Sequence, residues 1–174
     1  MKKIKGETIF LVIVIVVGFI IVSQFDFIGI SASHVEEDAR KSQRIPDSWE
    51  VIQSHNDELY ALLFYDPDNR DAYTYSLYEN KKGFSFGYSF RSGGDISGIS
   101  NTAIKYVYEN RGCVLVSLNK KRVQKIERDN GELDSIQVDA DKPVVVVFPV
   151  NSGILKLYDG TGKEVLYETV VEKW

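Results

Sequence analysis

Few residues of this chain have the types and spacing that metal or acid–base chemistry requires. The acidic run at 66–71 superficially resembles a calcium-binding loop, because carboxylate and amide oxygens are the usual calcium ligands. An EF-hand loop needs glycine at its sixth position and an acid at its twelfth, where this chain has Asp71 and Leu77. We therefore interpret the run as a solvated turn, and we predict no metal ion and no cofactor.

The histidine and cysteine content also argues against zinc binding and nucleophilic catalysis. The chain has two histidines, His34 and His55, and neither has a cysteine or a second histidine at metal-ligand spacing. The one match to Gly-x-Ser-x-Gly, at 83–87, falls in a predicted strand and not at the strand-to-helix elbow that this motif forms in hydrolases. Cys113 is the one cysteine, so no intramolecular disulfide is possible, and its apolar neighbours predict a small buried side chain. We therefore assign no catalytic residue.

A glycine-rich segment at 91–101 is the strongest candidate for a binding site. It contains three glycines and is about eleven residues long, whereas connections in compact domains usually have about 4–6 residues. The pattern predicts a flexible loop that either holds a ligand or serves only as a connector. The candidate ligand-binding residues, including two aromatics of the preceding strand, are Tyr88, Phe90, Arg91, Gly93, Gly94 and Asp95.

The elements that must position these residues are predicted to be β-strands. Aromatic residues make up 12% of the chain, and aromatic and β-branched residues favour strands. Short apolar or alternating runs recur from residue 49 onward, and turn sequences separate them. The pattern predicts an all-β fold, either an antiparallel β-sandwich or a partly open barrel. Strands are expected at 59–65, 73–78, 84–90, 104–108, 113–118, 123–128, 136–138, 144–148, 154–158 and 165–171.

The N-terminal region predicts a single transmembrane helix. Residues 9–22 are apolar without interruption, and continuing the segment through 30, past Ser23, Gln24 and Asp26, gives about 22 residues and roughly 33 Å of helix. That length exceeds the ~30 Å hydrocarbon core of a bilayer. Lys2, Lys3 and Lys5 precede the run, so the positive-inside rule places the N-terminus inside and the remaining chain outside.

A cleaved signal peptide is the alternative interpretation of this region. Small residues at 31–33 suit signal cleavage, and the chain would then be secreted. With an uncleaved anchor, the chain divides into a cytoplasmic tail and anchor at 1–30, a polar stalk at 31–47 and an extracytoplasmic β domain at 48–174. Both interpretations place the β domain in the cell envelope or beyond it.

The charge of the chain restricts its partners. Its formal net charge is −4 at pH 7, and an acidic chain is poorly suited to binding nucleic acid. The expected partners are the membrane, through 9–30, and an envelope protein or glycan. Two functions follow from these features. The first is non-enzymatic binding, as an accessory or sensory module. The second is a small envelope hydrolase that uses the carboxylates of Asp95 and Glu109.

Overall fold

The computed structural model describes residues 6–24, 29–80, 87–95, 97–108, 110–129 and 133–172. These residues form a mostly β structure with few helices, which confirms the predicted all-β class. The helices are α1 (Gly6–Gln24), α2 (Val35–Gln43) and α3 (Ser97–Asn101), and a 3₁₀ turn at Ala32–His34 precedes α2. The strands are β1 (Glu50–His55), β2 (Leu59–Tyr65), β3 (Tyr73–Asn80), β4 (Tyr88–Gly94), β5 (Ile104–Tyr108), β6 (Gly112–Ser117), β7 (Val123–Asp129), β8 (Leu133–Gln137), β9 (Val144–Phe148), β10 (Ile154–Asp159), β11 (Glu164–Val165) and β12 (Glu168–Glu172).

The strands form three four-stranded sheets. Sheet 1 has the order β1-β2-β3-β4, sheet 2 the order β12-β5-β6-β9, and sheet 3 the order β11-β10-β7-β8. The pairs are antiparallel, apart from β12 beside β5, which is parallel with Glu168 opposite Ile104. Sheets 1 and 2 also meet at one side, where the Val147 N–H donates a hydrogen bond to Ser54 Oγ at 3.0 Å.

Sheet 2 lies between the other two sheets and is buried on both faces. One core cluster joins sheets 1 and 2 and includes Leu63, Tyr106 and Val145. A second cluster joins sheets 2 and 3 and includes Val144 and Leu157. Successive valines of β9 therefore enter opposite cores, as the pleat requires. This explains the continuous apolar run of β9, although β9 lies at an edge of its sheet.

The segment predicted as a polar stalk is packed against sheet 1. Val35, Ala39 and Ile45 are buried in a third core cluster with aromatic residues of β2 and β3. The Tyr78 hydroxyl donates a hydrogen bond to Asp38 Oδ2 at 2.8 Å. This packing differs from the stalk predicted at 31–47. The segment is polar over most of its length, but Val35 and Ala39 lie on one face of α2, and together with Ile45 they cover the outer face of sheet 1.

The predicted transmembrane region begins with helix α1, in which the side chains from Phe10 to Val17 are 47–69% exposed. Among the residues that the structure describes, no helix has both the length and the apolar content needed to cross a membrane. Ile30, the last residue of the predicted anchor, is part of the β domain, because its backbone pairs with that of Tyr88.

The predicted flexible loop at 91–101 is wrong. Strand β4 continues through Gly94, and α3 occupies Ser97–Asn101, so Arg91, Gly93 and Gly94 belong to an edge strand. Ile99 of α3 is fully buried, which anchors the second half of the segment. The three glycines predicted a loop because glycine is depleted in strands, but pairing with β3 overrides that preference. Residues 84–86 of the predicted aromatic strand lie outside the described residues.

Candidate functional site: a cleft at one end of the sheets

Three turns gather at one end of sheets 1 and 2. Two belong to the hairpins β1–β2 (56–58) and β5–β6 (described at 110–111), and the third leads from β9 of sheet 2 to β10 of sheet 3 (149–153). Strand register brings them together, because Tyr108 pairs with Gly112 and Cys113 pairs with Phe148. The end of β3 joins them, since Glu79 pairs with Leu59 directly after the first turn.

The turns enclose two neighbouring cavities that share the wall formed by Pro149 and Val150. The first has a volume of about 340 Å³ and is lined by Asn56, Asp57, Glu58, Arg111, Pro149 and Val150. The second, of about 230 Å³, is lined by Lys105, Val107, Tyr108, Asn110, Gly112, Cys113 and residues 149–153. We call the two cavities together the end cleft. Its walls carry acidic, basic and apolar side chains within one concave surface.

Local hydrogen bonds hold the first turn in shape. Asn56 Oδ1 accepts hydrogen bonds from the backbone N–H groups of Glu58 and Leu59, at 2.9 and 2.8 Å. The Asn56 N–H in turn donates to the Leu59 carbonyl at 2.9 Å. Asparagine side chains commonly close turns in this way. The carboxylate of Asp57 therefore projects from a turn whose backbone is already fixed.

The other two turns depend on left-handed backbone conformations. Asn110 and Asn151 have φ angles of 61° and 63°, values that asparagine tolerates better than most residues. Gly112 has φ = 122°, and a Cβ there would overlap the Phe148 carbonyl oxygen. Glycine at this position lets β6 pass close to the end of β9. The close approach places the second cavity beside Cys113.

A buried ion cluster supports the basic wall of the end cleft. The side chain of Glu79 is 3% exposed, and Arg91 Nε donates to its Oε2 at 2.6 Å. Arg111 Nε pairs with the other carboxylate oxygen of Glu79. Arg111 Nη1 also donates to the Asn80 carbonyl at 2.9 Å. The guanidinium of Arg111 is thus fixed by two acceptors while its side chain remains 29% exposed at the cleft.

Cys113 contributes an unreactive wall to the second cavity. Burial raises the pKa of its thiol, and the nearby Lys105 ammonium only partly opposes this rise. A raised thiol pKa reduces the thiolate fraction at neutral pH, and the thiolate is the nucleophile. The side chain therefore behaves as the small buried hydrophobe that the sequence predicts.

The structure separates the binding residues predicted from the sequence. Arg91 belongs to the ion cluster behind the end cleft. Tyr88 is buried, and its hydroxyl donates to the Asn56 carbonyl. Phe90 is 45% exposed and packs edge-on against Tyr78, with ring centroids 5.5 Å apart. The remaining three predicted binding residues lie at the opposite end of β4 from Tyr88. Gly93 and Gly94 end the strand, and Asp95 follows it.

The carboxylate pair proposed for hydrolysis is not tested, because Glu109 lies outside the described residues. Asp95 is exposed and follows β4. Two described carboxyl groups have clearly shifted pKa values, and both shifts are downward. Lys125 lowers the pKa of Glu127, and a hydrogen bond from Thr161 lowers that of Asp159. A general acid needs the opposite shift, so these two carboxylates do not suit that role.

The acidic run at 66–71 is a turn between β2 and β3. Asp66 Oδ1 accepts a hydrogen bond from the Asp68 N–H at 2.9 Å, and Asn69 Oδ1 accepts one from the Asp71 N–H at 3.2 Å. These oxygens stabilise the turn, as predicted. Within the described ranges, no cluster of three or more histidine, cysteine, aspartate or glutamate side chains is placed to hold a metal ion.

Sequence reasoning missed the residues that build the end cleft. His55, at the end of strand β1 beside the first turn, stacks on Tyr60 with ring centroids 4.7 Å apart. In the sequence, Glu79 is an acid at the end of an aromatic run, and Arg111 is one residue of a short turn, so neither stands out. A glutamate inside an otherwise buried strand was the available signal, because buried carboxylates are normally paired.

Comparisons of the chain with protein-family models, with curated proteins and with solved structures found no match.

Proposed function

We propose that this chain is a non-enzymatic binding module of the cell envelope, attached to the membrane by its N-terminal apolar region. Its β domain binds a peptide segment of a partner protein in the end cleft. The proposed location is extracytoplasmic, with the N-terminus inside. The observation that carries the proposed function is the end cleft, in which a fixed arginine and a projecting aspartate flank an apolar wall.

The chemistry of the end cleft favours a peptide as the ligand. Asp57 and Arg111 offer one anionic and one cationic group in the same cavity, and Pro149 and Val150 lie beside them. A peptide can offer a cationic group to Asp57 and apolar side chains to Pro149 and Val150, whereas a neutral glycan offers Asp57 no counter-charge. Desolvated charges without partners are costly, so the charge pattern favours a peptide over a glycan. The pre-formed turns also reduce the entropy lost on binding.

The apolar N-terminal region supports membrane attachment. The eight residues from Phe10 to Val17 expose apolar side chains around the whole circumference of α1. A helix that is apolar on every side is characteristic of a nonpolar environment. Residues 9–28, which precede the junction with the β domain, number 20, the length that a span requires, and the basic residues before them orient the β domain outward.

Photo-crosslinking tests the proposed ligand site. A photoreactive amino acid at Val150, on the shared wall of the end cleft, should give a discrete adduct with a membrane-associated protein. The same amino acid at Lys121, an exposed turn position at the opposite end of the strands, should not. Asp57→Lys in the Val150 protein should reduce the adduct because it reverses one charge of the end cleft. Equal adducts at both positions, insensitive to Asp57→Lys, would contradict the proposal.

Membrane attachment is tested separately by flotation. Full-length protein should float with phospholipid vesicles and resist extraction by high salt and by alkaline carbonate. A variant that begins at Gly29 should remain at the bottom of the gradient. If both proteins stay at the bottom, the apolar region does not attach the chain to lipid. The crosslinking result would still decide the role of the end cleft.

A further inference from the structure

We infer that the end cleft faces the membrane, so that its peptide ligand belongs to a membrane-bound partner. This inference rests on the proposed membrane attachment and adds an orientation to it. It follows from the position at which the N-terminal region joins the β domain.

The N-terminal region joins sheet 1 at a fixed point. The Ile30 N–H donates to the Tyr88 carbonyl at 2.7 Å, and the Tyr88 N–H donates to the Ile30 carbonyl at 2.8 Å. Such reciprocal bonds are those of an antiparallel strand pair. Gly29 lies so close to Gly87 and Tyr88 that a Cβ on it would overlap their backbone atoms. The chain is therefore held to the fold from residue 29 onward, directly after the apolar region.

This junction lies at the same end of the strands as the end cleft. Tyr88 begins β4 and pairs with Asn80, the last residue of β3. The Tyr88 hydroxyl donates to the carbonyl of Asn56, and Asn56 lines the first cavity. One buried side chain thus connects the membrane-proximal junction with the cleft wall.

Chain length restricts how far the junction can lie from the membrane. Helix α1 ends at Gln24, and the six residue steps from there to Ile30 reach at most about 20 Å. Strand β2 runs from Leu59 at the cleft end to Tyr65, a rise of about 20 Å. Because the junction lies at the cleft end, the cleft end stays within this reach of the bilayer, whereas the turns at the opposite end can lie a strand length farther away.

Fluorescence quenching measures this orientation in the full-length protein. Cys113→Ala provides a cysteine-free background, and a fluorophore is attached at Asp57→Cys or at Lys121→Cys. Both positions are exposed turn residues, one at each end of the strands. The proteins are reconstituted in phosphatidylcholine and phosphatidylglycerol vesicles that contain a lipid spin-labelled at its headgroup. Quenching at position 57 should exceed quenching at position 121 several-fold.

A matched control lengthens the connection without changing the β domain. Inserting about 20 glycine and serine residues after Ile28, between the proposed span and Gly29, adds a flexible segment with a root-mean-square length of about 25 Å. The difference between the two positions should then largely disappear, while the protein still floats with vesicles. The protein without the insertion decides the orientation. If it floats but shows equal quenching at both positions, or stronger quenching at position 121, the orientation alone is overturned. Failure to float overturns the membrane attachment and the orientation together.

Discussion

Glu79 and Arg91 form an ion pair within sheet 1, in which Arg91 Nε donates to Glu79 Oε2 at 2.6 Å. The side chains are 3% and 12% exposed, so water screens their interaction only weakly. Arg111 binds the second carboxylate oxygen from a turn of sheet 2. One carboxylate therefore links the edge strand β4 with the wall of the end cleft across two sheets.

We expect Glu79→Gln to destabilise the fold. The amide keeps the shape of the side chain but leaves two arginines without their counter-charge, and breaking a buried pair typically costs about 3–5 kcal/mol. Urea unfolding followed by circular dichroism measures the change in the free energy of unfolding.

Asp141→Asn is the control for that experiment. Asp141 pairs with Arg122 at 2.9 Å, but both side chains are at least 66% exposed. Exposed pairs contribute at most about 1 kcal/mol, so this variant should unfold almost as the wild type does. Equal effects of the two substitutions would show that the Glu79 cluster adds little to stability.

Removal of residues 29–46 should destabilise the β domain. Val35, Ala39 and Ile45 are buried against sheet 1, and burying a Val or Ile side chain stabilises a fold by about 1.5–3 kcal/mol. A fragment from Asp47 onward should therefore unfold at lower urea concentration than one from Gly29 onward. It should also expose the aromatic outer face of sheet 1 and bind a hydrophobic dye. Identical unfolding midpoints would mean that the α2 segment contributes no stability.

Stability should decrease at alkaline pH partly because of Tyr65. The pKa of Tyr65 is raised from 10.0 to about 12. Burial is the main cause, and a 2.5 Å hydrogen bond to Glu50 is the second. The folded protein holds this proton more tightly than the unfolded chain, so the contribution is complete below pH 10 and is lost as pH rises toward 12. Between about pH 8 and about pH 11, the wild type should lose more free energy of unfolding than Tyr65→Phe. Parallel losses in the two proteins would exclude this role.

Gly112→Ala should destabilise the turn that forms the second cavity. The residue has φ = 122°, and the new methyl group would overlap the Phe148 carbonyl oxygen. Alanine in such a conformation costs more than the ~1 kcal/mol that glycine replacement can otherwise gain. Gly160→Ala is the matched control, because its nearest neighbours are side-chain atoms of Gln124 that are able to move. A thermal melt of both variants should show a clear loss for Gly112→Ala alone.

Local patterns in the sequence determined the class of the fold and many of its strands. The predicted strands at 59–65, 104–108 and 144–148 coincide with β2, β5 and β9. Residues in these runs are apolar or aromatic and are bounded by turn residues, so their preference for extended structure acts within a few neighbours. The all-β class and the turn at 66–71 follow from the same short-range information.

Tertiary structure alone decided which residues meet. Glu79 and Arg111 are 32 positions apart, and only the packing of sheet 1 on sheet 2 brings them together. Val35 and Ala39 lie in a segment that is mostly polar, and their burial depends on an apolar sheet face that forms elsewhere in the chain. Segment 91–94 becomes a strand because β3 supplies its hydrogen-bond partners. Pairing and burial between distant segments depend on the whole fold, and a single sequence carries no local pattern that reports them.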